Sequence, residues 1–337
     1  MQAAIFKALG KPLVIESVPD PTPAAGQVVV RVSRCGICGS DLHMTEDPLF
    51  GLPPGAILGH EYAGEVVGIG PDVQRVRIGD RVSVMPLQGC WRCASCVAGE
   101  PAWCTQMRID GGGYGEYSLA NEAQCLSLPG TVSLEDGALV EPLAVGLHGV
   151  TVAQLTPGAR VLVIGAGPIG LATVFWARRL GAGRIAVTAS SNRRESLAYA
   201  LGATAFIDPA DSSQEAVNRA LGAPPDIVFE CVGKPGLLAR SIEYARPRGT
   251  VVILGLCTAV DSLMPFAVVS KEIRLQPAAF YNMREFEIAA DALATNSAVP
   301  RAMVTDTVSL QELPATFEAL RQRNHQCKVM VRPGTLL

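Results

Sequence analysis

The stretch VLVIGAGPIGLA, residues 161–172, constrains the fold more than any other segment of the chain. An apolar run suited to a buried strand meets glycines 165, 167 and 170 and then the helix-like LATVFWARRL. The first glycine permits a tight turn, the second lets the backbone approach a pyrophosphate, and the third lets helix pack closely on strand. The free N–H groups at the helix start would face phosphate. G-x-G-x-x-G alone is a weak signal. Here it follows a strand pattern, opens a helix and leads to a second strand pattern, RIAVTA at 184–189. Gly165, Gly167, Pro168, Ile169 and Gly170 are therefore candidate dinucleotide-binding residues. Residues 161–177 carry no charge, but the run is short for a bilayer and holds three glycines and Pro168, which argues against a membrane span.

The surrounding pattern extends this reading. From about residue 146 strand-like runs (RVLVIG, RIAVTA, TAFID, DIVFECV, GTVVILG, EIRLQPA) alternate with helix-like segments such as RRESLAYALG and SQEAVNRALG. Such alternation predicts a doubly wound parallel sheet. Residues 1–145 instead hold short β-rich runs (QVVVRVSR, GEVVGIG, DRVSVM) broken by Gly and Pro, as in a barrel-like domain. The expected division is 1–145 as a metal-binding catalytic domain, 146–286 as a dinucleotide-binding domain, and 287–337 as a return segment. That segment includes helix-like ELPATFEALRQRN and strand-like QCKVMVRP. The reaction site is expected in the cleft between the two domains.

Two clusters have metal-binding character. Cys90, Cys93, Cys96 and Cys104 read C-x2-C-x2-C-x7-C. Four thiolates satisfy a tetrahedral zinc ion completely, so this set predicts a closed, structural site. Disulfides or plain buried thiols are the alternative, and nothing points to an oxidising compartment. The second set is open. Cys38 in CGICGSDLH, with His60 and Glu61 in GHEYAGEVVGIG, supplies a thiolate, an imidazole and a carboxylate, and Glu141 is a further carboxylate. Three such ligands leave a position for a substrate oxygen. Cys38 and His60 are 22 positions apart, so spacing alone carries little weight. Cys35 reads as a buried strand thiol. Cys125, Cys231, Cys257 and Cys327 read as buried thiols and are assigned no role.

Together these motifs resemble the zinc-dependent medium-chain dehydrogenase/reductase superfamily, the alcohol, sorbitol and butanediol dehydrogenases. The family's G-H-E-x2-G-x5-G-x2-V signature is met by Gly59, His60, Glu61, Gly64, Gly70 and Val73, and its later motifs by DIVFECVG and RPRGTVVILG. The resemblance implies a Rossmann domain plus a GroES-like catalytic domain and two zinc ions per chain. It implies Cys38 and His60 as catalytic zinc ligands. Glu61 ligates in some members and lies just outside the ligand set in others. Glu141 takes the third-ligand position, as in sorbitol- and butanediol-type members. Asp41 is similar to a carboxylate supporting the zinc. The resemblance also implies Ser40 as the hydroxyl on the substrate oxygen, with His43 ending a proton relay. Val232, Leu254, Leu256 and Lys328 are implied coenzyme contacts, Lys328 near the phosphates. Hydride would pass between the nicotinamide and an alcohol carbon.

The coenzyme can be read further. An acidic residue normally closes the second strand and bonds the ribose 2′-OH. Here Ala189 stands in that place, followed by Ser190, Ser191, Arg193 and Arg194. Hydroxyl and guanidinium groups suit a 2′-phosphate, so NADP(H) is expected over NAD(H).

Composition sets the outer bounds. At 337 residues, 49% apolar and 18% charged, the chain can build two sizeable cores. A net charge of −3 without a long basic run gives nucleic-acid binding no support. No signal-peptide pattern opens the chain and ten cysteines suit a reducing compartment, so cytoplasmic residence is expected. The expected partners are a small alcohol or carbonyl substrate and further copies of the chain, as a homodimer or homotetramer. Apolar and aromatic residues around Ser40, Phe50, 107–114 and 280–283 are the expected pocket lining, favouring a secondary alcohol or ketone. Two other readings stand beside this one: an NAD-dependent polyol or amino-alcohol dehydrogenase, and a non-catalytic coenzyme-binding protein.

Overall fold

The computed structural model describes residues 1–322 and 325–334. The chain divides into two compact units. One comprises Met1–Glu141, Asn282–Ser297 and Val304–Leu337; the other comprises Pro142–Tyr281 and Ala298–Met303.

The second unit is built on a six-stranded sheet whose strands are all parallel. In space the order is Ala205–Ile207, Arg184–Thr188, Arg160–Ile164, Ile227–Glu230, Thr250–Ile253, Arg274–Pro277. In chain order that is third, second, first, fourth, fifth, sixth, the doubly wound arrangement expected from the alternating pattern. Parallel strands bury both faces, which is why VLVI and IVF run without polar interruption. Helix Pro168–Arg179 starts from Gly167 with proline in its first turn, where a missing N–H costs nothing. Every residue from Gly170 to Ala177 is buried, so this helix is apolar on all sides. Its Trp176 indole N–H donates to the Leu143 carbonyl at 2.8 Å.

Asp226 ties the start of the central strands together. It accepts from the backbone N–H of Arg160 at 2.8 Å, the Arg160 guanidinium at 3.1 Å and the Arg246 guanidinium at 2.6 Å. Partial burial would raise this carboxyl, but the two arginines and the amide outweigh it and hold it at about 2. Its unfolded value is about 4, so the stabilisation is complete above about pH 4 and is lost as pH falls through about 2. Asp226→Asn is expected to cost about 1–2 kcal/mol at pH 7, below the full shift because both guanidinium groups stay partly solvated. Urea melts should show that gap closing towards pH 2; a gap independent of pH would contradict the assignment.

The first unit is built on a seven-stranded sheet, with two separate two-stranded sheets beside it. Strand Gln27–Gly36 is its centre. Along one edge it pairs Glu61–Ile69; along the other its first half pairs Tyr117–Asn121 and its last residues pair Lys328–Arg332. Register shifts at Val29/Val30 and Val32/Arg34 bend it, as barrel-like sheets require. Val30, Val32, Tyr62, Val66, Val82, Phe317 and Val329 form the core beneath. Helix Leu313–Ala319 is shorter than its sequence pattern suggested, and residues 323 and 324 of that pattern lie outside the described residues.

The consequential register is Gly36 opposite both Met330 and Glu61. It sets the residue just beyond one strand, Cys38, next to the start of its antiparallel neighbour at His60 and Glu61. A side chain at Gly36 could not be accommodated: a Cβ there would lie 2.0 Å from Glu61 Oε2 and 3.2 Å from Lys328 Cδ.

Candidate active site

Cys38 has extended backbone and is the N-cap of the six-residue helix Gly39–Met44. Asp41, in the first turn, accepts from the Cys38 N–H at 3.2 Å, which fixes the helix start and the direction of the thiol. The same carboxylate reaches His60: Oδ1 lies 3.1 Å from Nδ1. This leaves Nε2 facing Cys38 and Ser40. Burial disfavours charge on Asp41, but His60, Tyr114 and the Cys38 amide together hold its carboxyl below the ordinary value. Burial also opposes a charged His60, yet Asp41 and the Cys38 thiol raise it well above the usual imidazole value.

Cys38, His60 and Glu61 each offer a ligand atom, all within 4.8 Å of one another. One thiolate, one imidazole nitrogen and one carboxylate at that spacing fit a zinc ion with a coordination position to spare. The Ser40 hydroxyl sits at the same point, 3.0 Å from Cys38 Sγ and 3.3 Å from His60 Nε2. Glu141 is buried at the start of helix Val140–Val152 and lies outside that group of three. His43 is half-buried on the Cys38 helix, and Ser40 makes its hydrogen bonds to Cys38 and His60 rather than to His43.

Lys328 requires a correction. The expected place beside coenzyme phosphates does not fit, because its ammonium is 1% exposed and already has three partners. They are Glu61 Oε1 at 2.7 Å, Glu61 Oε2 at 2.6 Å and the Ile37 carbonyl at 3.0 Å, matching its three donors. Burial alone would lower its pKa; Glu61, with Cys38 and Glu141, raises it instead. A lysine inside the apolar strand pattern CKVMV was the available signal for a buried ion pair. Tyr114, expected in the pocket lining, is also fully buried. Cys257, expected to be a buried thiol, is exposed.

Cys90, Cys93, Cys96 and Cys104 bring their sulfur atoms within 4.8 Å of one another, and all ten cysteines of the chain are free thiols. Backbone amides point at the sulfurs: Cys93 N–H at Cys90 and Gln106 N–H at Cys104, at 3.4 and 3.3 Å. The amides of Arg92 and Cys93 pull the Cys90 thiol down to about 6, whereas burial pushes Cys96 up to about 12. Four converging thiols, of which Cys90 and Cys104 already accept backbone N–H bonds, fit a closed zinc site.

In the second unit the glycine turn has the form expected of a phosphate cradle. Gly165 has φ 107°, and a Cβ at Gly170 would lie 1.9 Å from the Gly165 carbonyl oxygen. Nothing lies within 4 Å of where a Cβ on Gly167 would stand, which leaves open space at the start of helix Pro168–Arg179. Pro168 and Ile169 form its first turn. Val232 follows strand Ile227–Glu230, its amide bonded to buried Glu230 at 2.7 Å, and its side chain faces Gly165. Leu254 and Leu256 follow strand Thr250–Ile253. These strand ends flank the switch point of the sheet, where such folds take ligands. Ala189 and exposed Ser190 follow strand Arg184–Thr188, with Ser191 next. Arg193 is exposed, and the Arg194 guanidinium donates to the Ala166 carbonyl at 3.2 Å, lying against the glycine turn.

Among the described residues no helix is long and apolar enough to cross a membrane. Residues 24–130 match the alcohol dehydrogenase GroES-like domain, and residues 168–295 match the zinc-binding dehydrogenase domain. The chain is 31% identical to sorbitol dehydrogenase of Bacillus subtilis, over 99% of this chain and 98% of that protein. A zinc-binding dehydrogenase from Sinorhizobium meliloti, solved bound to NADP, superposes with a TM-score of 0.89 at 32% identity, covering 98% of this chain and 99% of that one. An Escherichia coli alcohol dehydrogenase complexed with NADH gives 0.89 at 26% identity, covering 99% of each chain. With its glycine turn, its thiol clusters and its mixed α/β architecture, this chain belongs to the zinc-binding alcohol dehydrogenase family of the medium-chain dehydrogenase/reductase superfamily, and is an oxidoreductase.

Proposed function

We propose that the chain moves a hydride between NADP(H) and a secondary alcohol or its carbonyl counterpart. The observation that carries this reading is the convergence of Cys38, His60, Glu61 and the Ser40 hydroxyl on one point. A bound zinc would supply Lewis acidity towards an alcohol or carbonyl oxygen. Cys38 and His60 would hold it, with Glu61 in reach and Asp41 fixing the imidazole through Nδ1. Glu141 is proposed as a reserve carboxylate, available if Glu61 stays with Lys328. Ser40 would exchange the substrate hydroxyl proton at its Oγ, with His43, on the same short helix, as the outward end of the path. The four cysteines would hold a second, structural zinc.

The NADP(H) preference rests on Ala189 in place of an acid and on Arg194 lying against the glycine turn. A charge-assisted bond to a 2′-phosphate is worth about 1.5–3 kcal/mol, or roughly tenfold to a hundredfold. Arg194→Ala should therefore lower kcat/KM for NADPH by at least about tenfold and leave that for NADH within about twofold. Assays against a panel of ketones and aldehydes test this directly, and a wild-type preference for NADH would overturn it. That outcome would favour the second reading, an NAD-dependent polyol dehydrogenase, which the sorbitol dehydrogenase relative and Glu141 support.

A homodimer is the proposed assembly. Strand Arg274–Pro277 ends the sheet order, and Val260, Met264, Phe266 and Val269 are exposed shortly before it in the chain. An open strand edge and nearby apolar side chains suit a second copy of the same surface. Light scattering should give the mass of two chains, and Phe266→Glu should shift it to one; a wild-type monomer would exclude this surface.

A further inference from the structure

Resting on the metal reading above, we propose that Tyr114 is a positioning residue for His60, acting through Asp41 to hold the imidazole in its metal-binding orientation. Tyr114 is fully buried. Its hydroxyl donates to Asp41 Oδ2 at 2.6 Å. That oxygen also accepts the Cys38 N–H, while Oδ1 takes His60 Nδ1. One buried carboxylate is thus shared by the backbone of one proposed ligand, the ring of another, and a phenol 73 positions away from it.

The tyrosine holds His60 from a second direction. A Cβ on Gly59, the residue immediately before His60, would lie 2.5 Å from Tyr114 Cδ1, so the ring packs over this glycine in the space a side chain would need. Gly59 has φ 84°, a conformation that favours glycine. The ring is kept in place by an edge contact with Phe317, at 6.3 Å between centroids, and by the Tyr114 N–H bonding the Leu58 carbonyl at 3.0 Å. Tyr114 therefore restrains both the backbone before His60 and the carboxylate that orients its ring. Removing the hydroxyl alone keeps the ring and takes from Asp41 the shortest of its three hydrogen bonds, leaving the Cys38 amide and His60 to hold it. Groups supporting a metal-ligating histidine are worth about 10–100-fold in metal affinity, and a partner one bond farther out should lie at the low end.

The test is metal release from the zinc-replete protein to a chromophoric chelator, comparing wild type with Tyr114→Phe, together with visible spectra after cobalt replacement. Wild type is expected to lose metal in two phases, one for each cluster. Tyr114→Phe should speed the Cys38–His60 phase about tenfold, shift the cobalt bands of that site and leave the four-cysteine phase unchanged. Tyr114→Leu, which also removes the ring, should speed that phase further. An unchanged rate and spectrum in Tyr114→Phe would overturn the inference, as would equal acceleration of both phases, which would mean general loosening. Wild-type protein that holds metal only at the four cysteines would overturn the metal reading itself, a result visible before any variant is made.

Discussion

Replacing Cys38 by serine should lower kcat by about three orders of magnitude or more if the proposed zinc is held there, because Lewis-acid stabilisation worth several kcal/mol would go with that ligand, at about 1.4 kcal/mol per factor of ten. The substitution is mild for the fold. Cys38 is the N-cap of helix Gly39–Met44, and serine is among the best N-cap residues, so the helix should form at least as well. What is lost is the soft sulfur donor. NADPH binding, measured by fluorescence titration, should stay within about twofold of wild type, because the glycine turn rests on its own strand–helix packing. Metal analysis should show one zinc fewer per chain. Full turnover in the serine variant would remove Cys38 from the reaction.

The second large effect concerns stability. Lys328→Met leaves Glu61, which is fully buried, without its counter-charge. Breaking a buried pair from one side costs about 3–5 kcal/mol, because the remaining charge is stranded in a poorly solvated place. For a unit of this size that is on the order of 10 °C in Tm. The double variant Lys328→Met with Glu61→Gln should recover part of the loss, since no full charge is then buried alone, and the cycle measures the coupling between them. A loss below about 1 kcal/mol in the single variant would mean that Glu61 finds another partner.

The parts of this fold that were legible in the sequence are the local ones. Strand Arg160–Ile164, the glycine turn and helix Pro168–Arg179 follow one another directly, and each carries its own period. The four cysteines lie within fifteen positions and close on themselves. Cys38 and His60 were different. Nothing in a separation of 22 positions says they meet; the antiparallel register of Gly36 with Glu61 brings them together. Only the family resemblance anticipated it. Lys328 was misread because lysines are seldom buried, and the rule fails where a carboxylate is buried opposite. Tyr114 was misplaced for a similar reason. A phenol in a glycine-rich loop reads as surface, and its partner Asp41 is distant in sequence. Polar residues whose burial depends on one distant partner give little periodic signal.

Anomalous scattering at the zinc edge, from crystals of the metal-replete protein, locates the metals directly. Two peaks per chain are expected, one among Cys90, Cys93, Cys96 and Cys104, and one about 2.3 Å from Cys38 Sγ and about 2.0 Å from His60 Nε2. A single peak at the four cysteines, from protein that turns over substrate at full rate, would contradict the account.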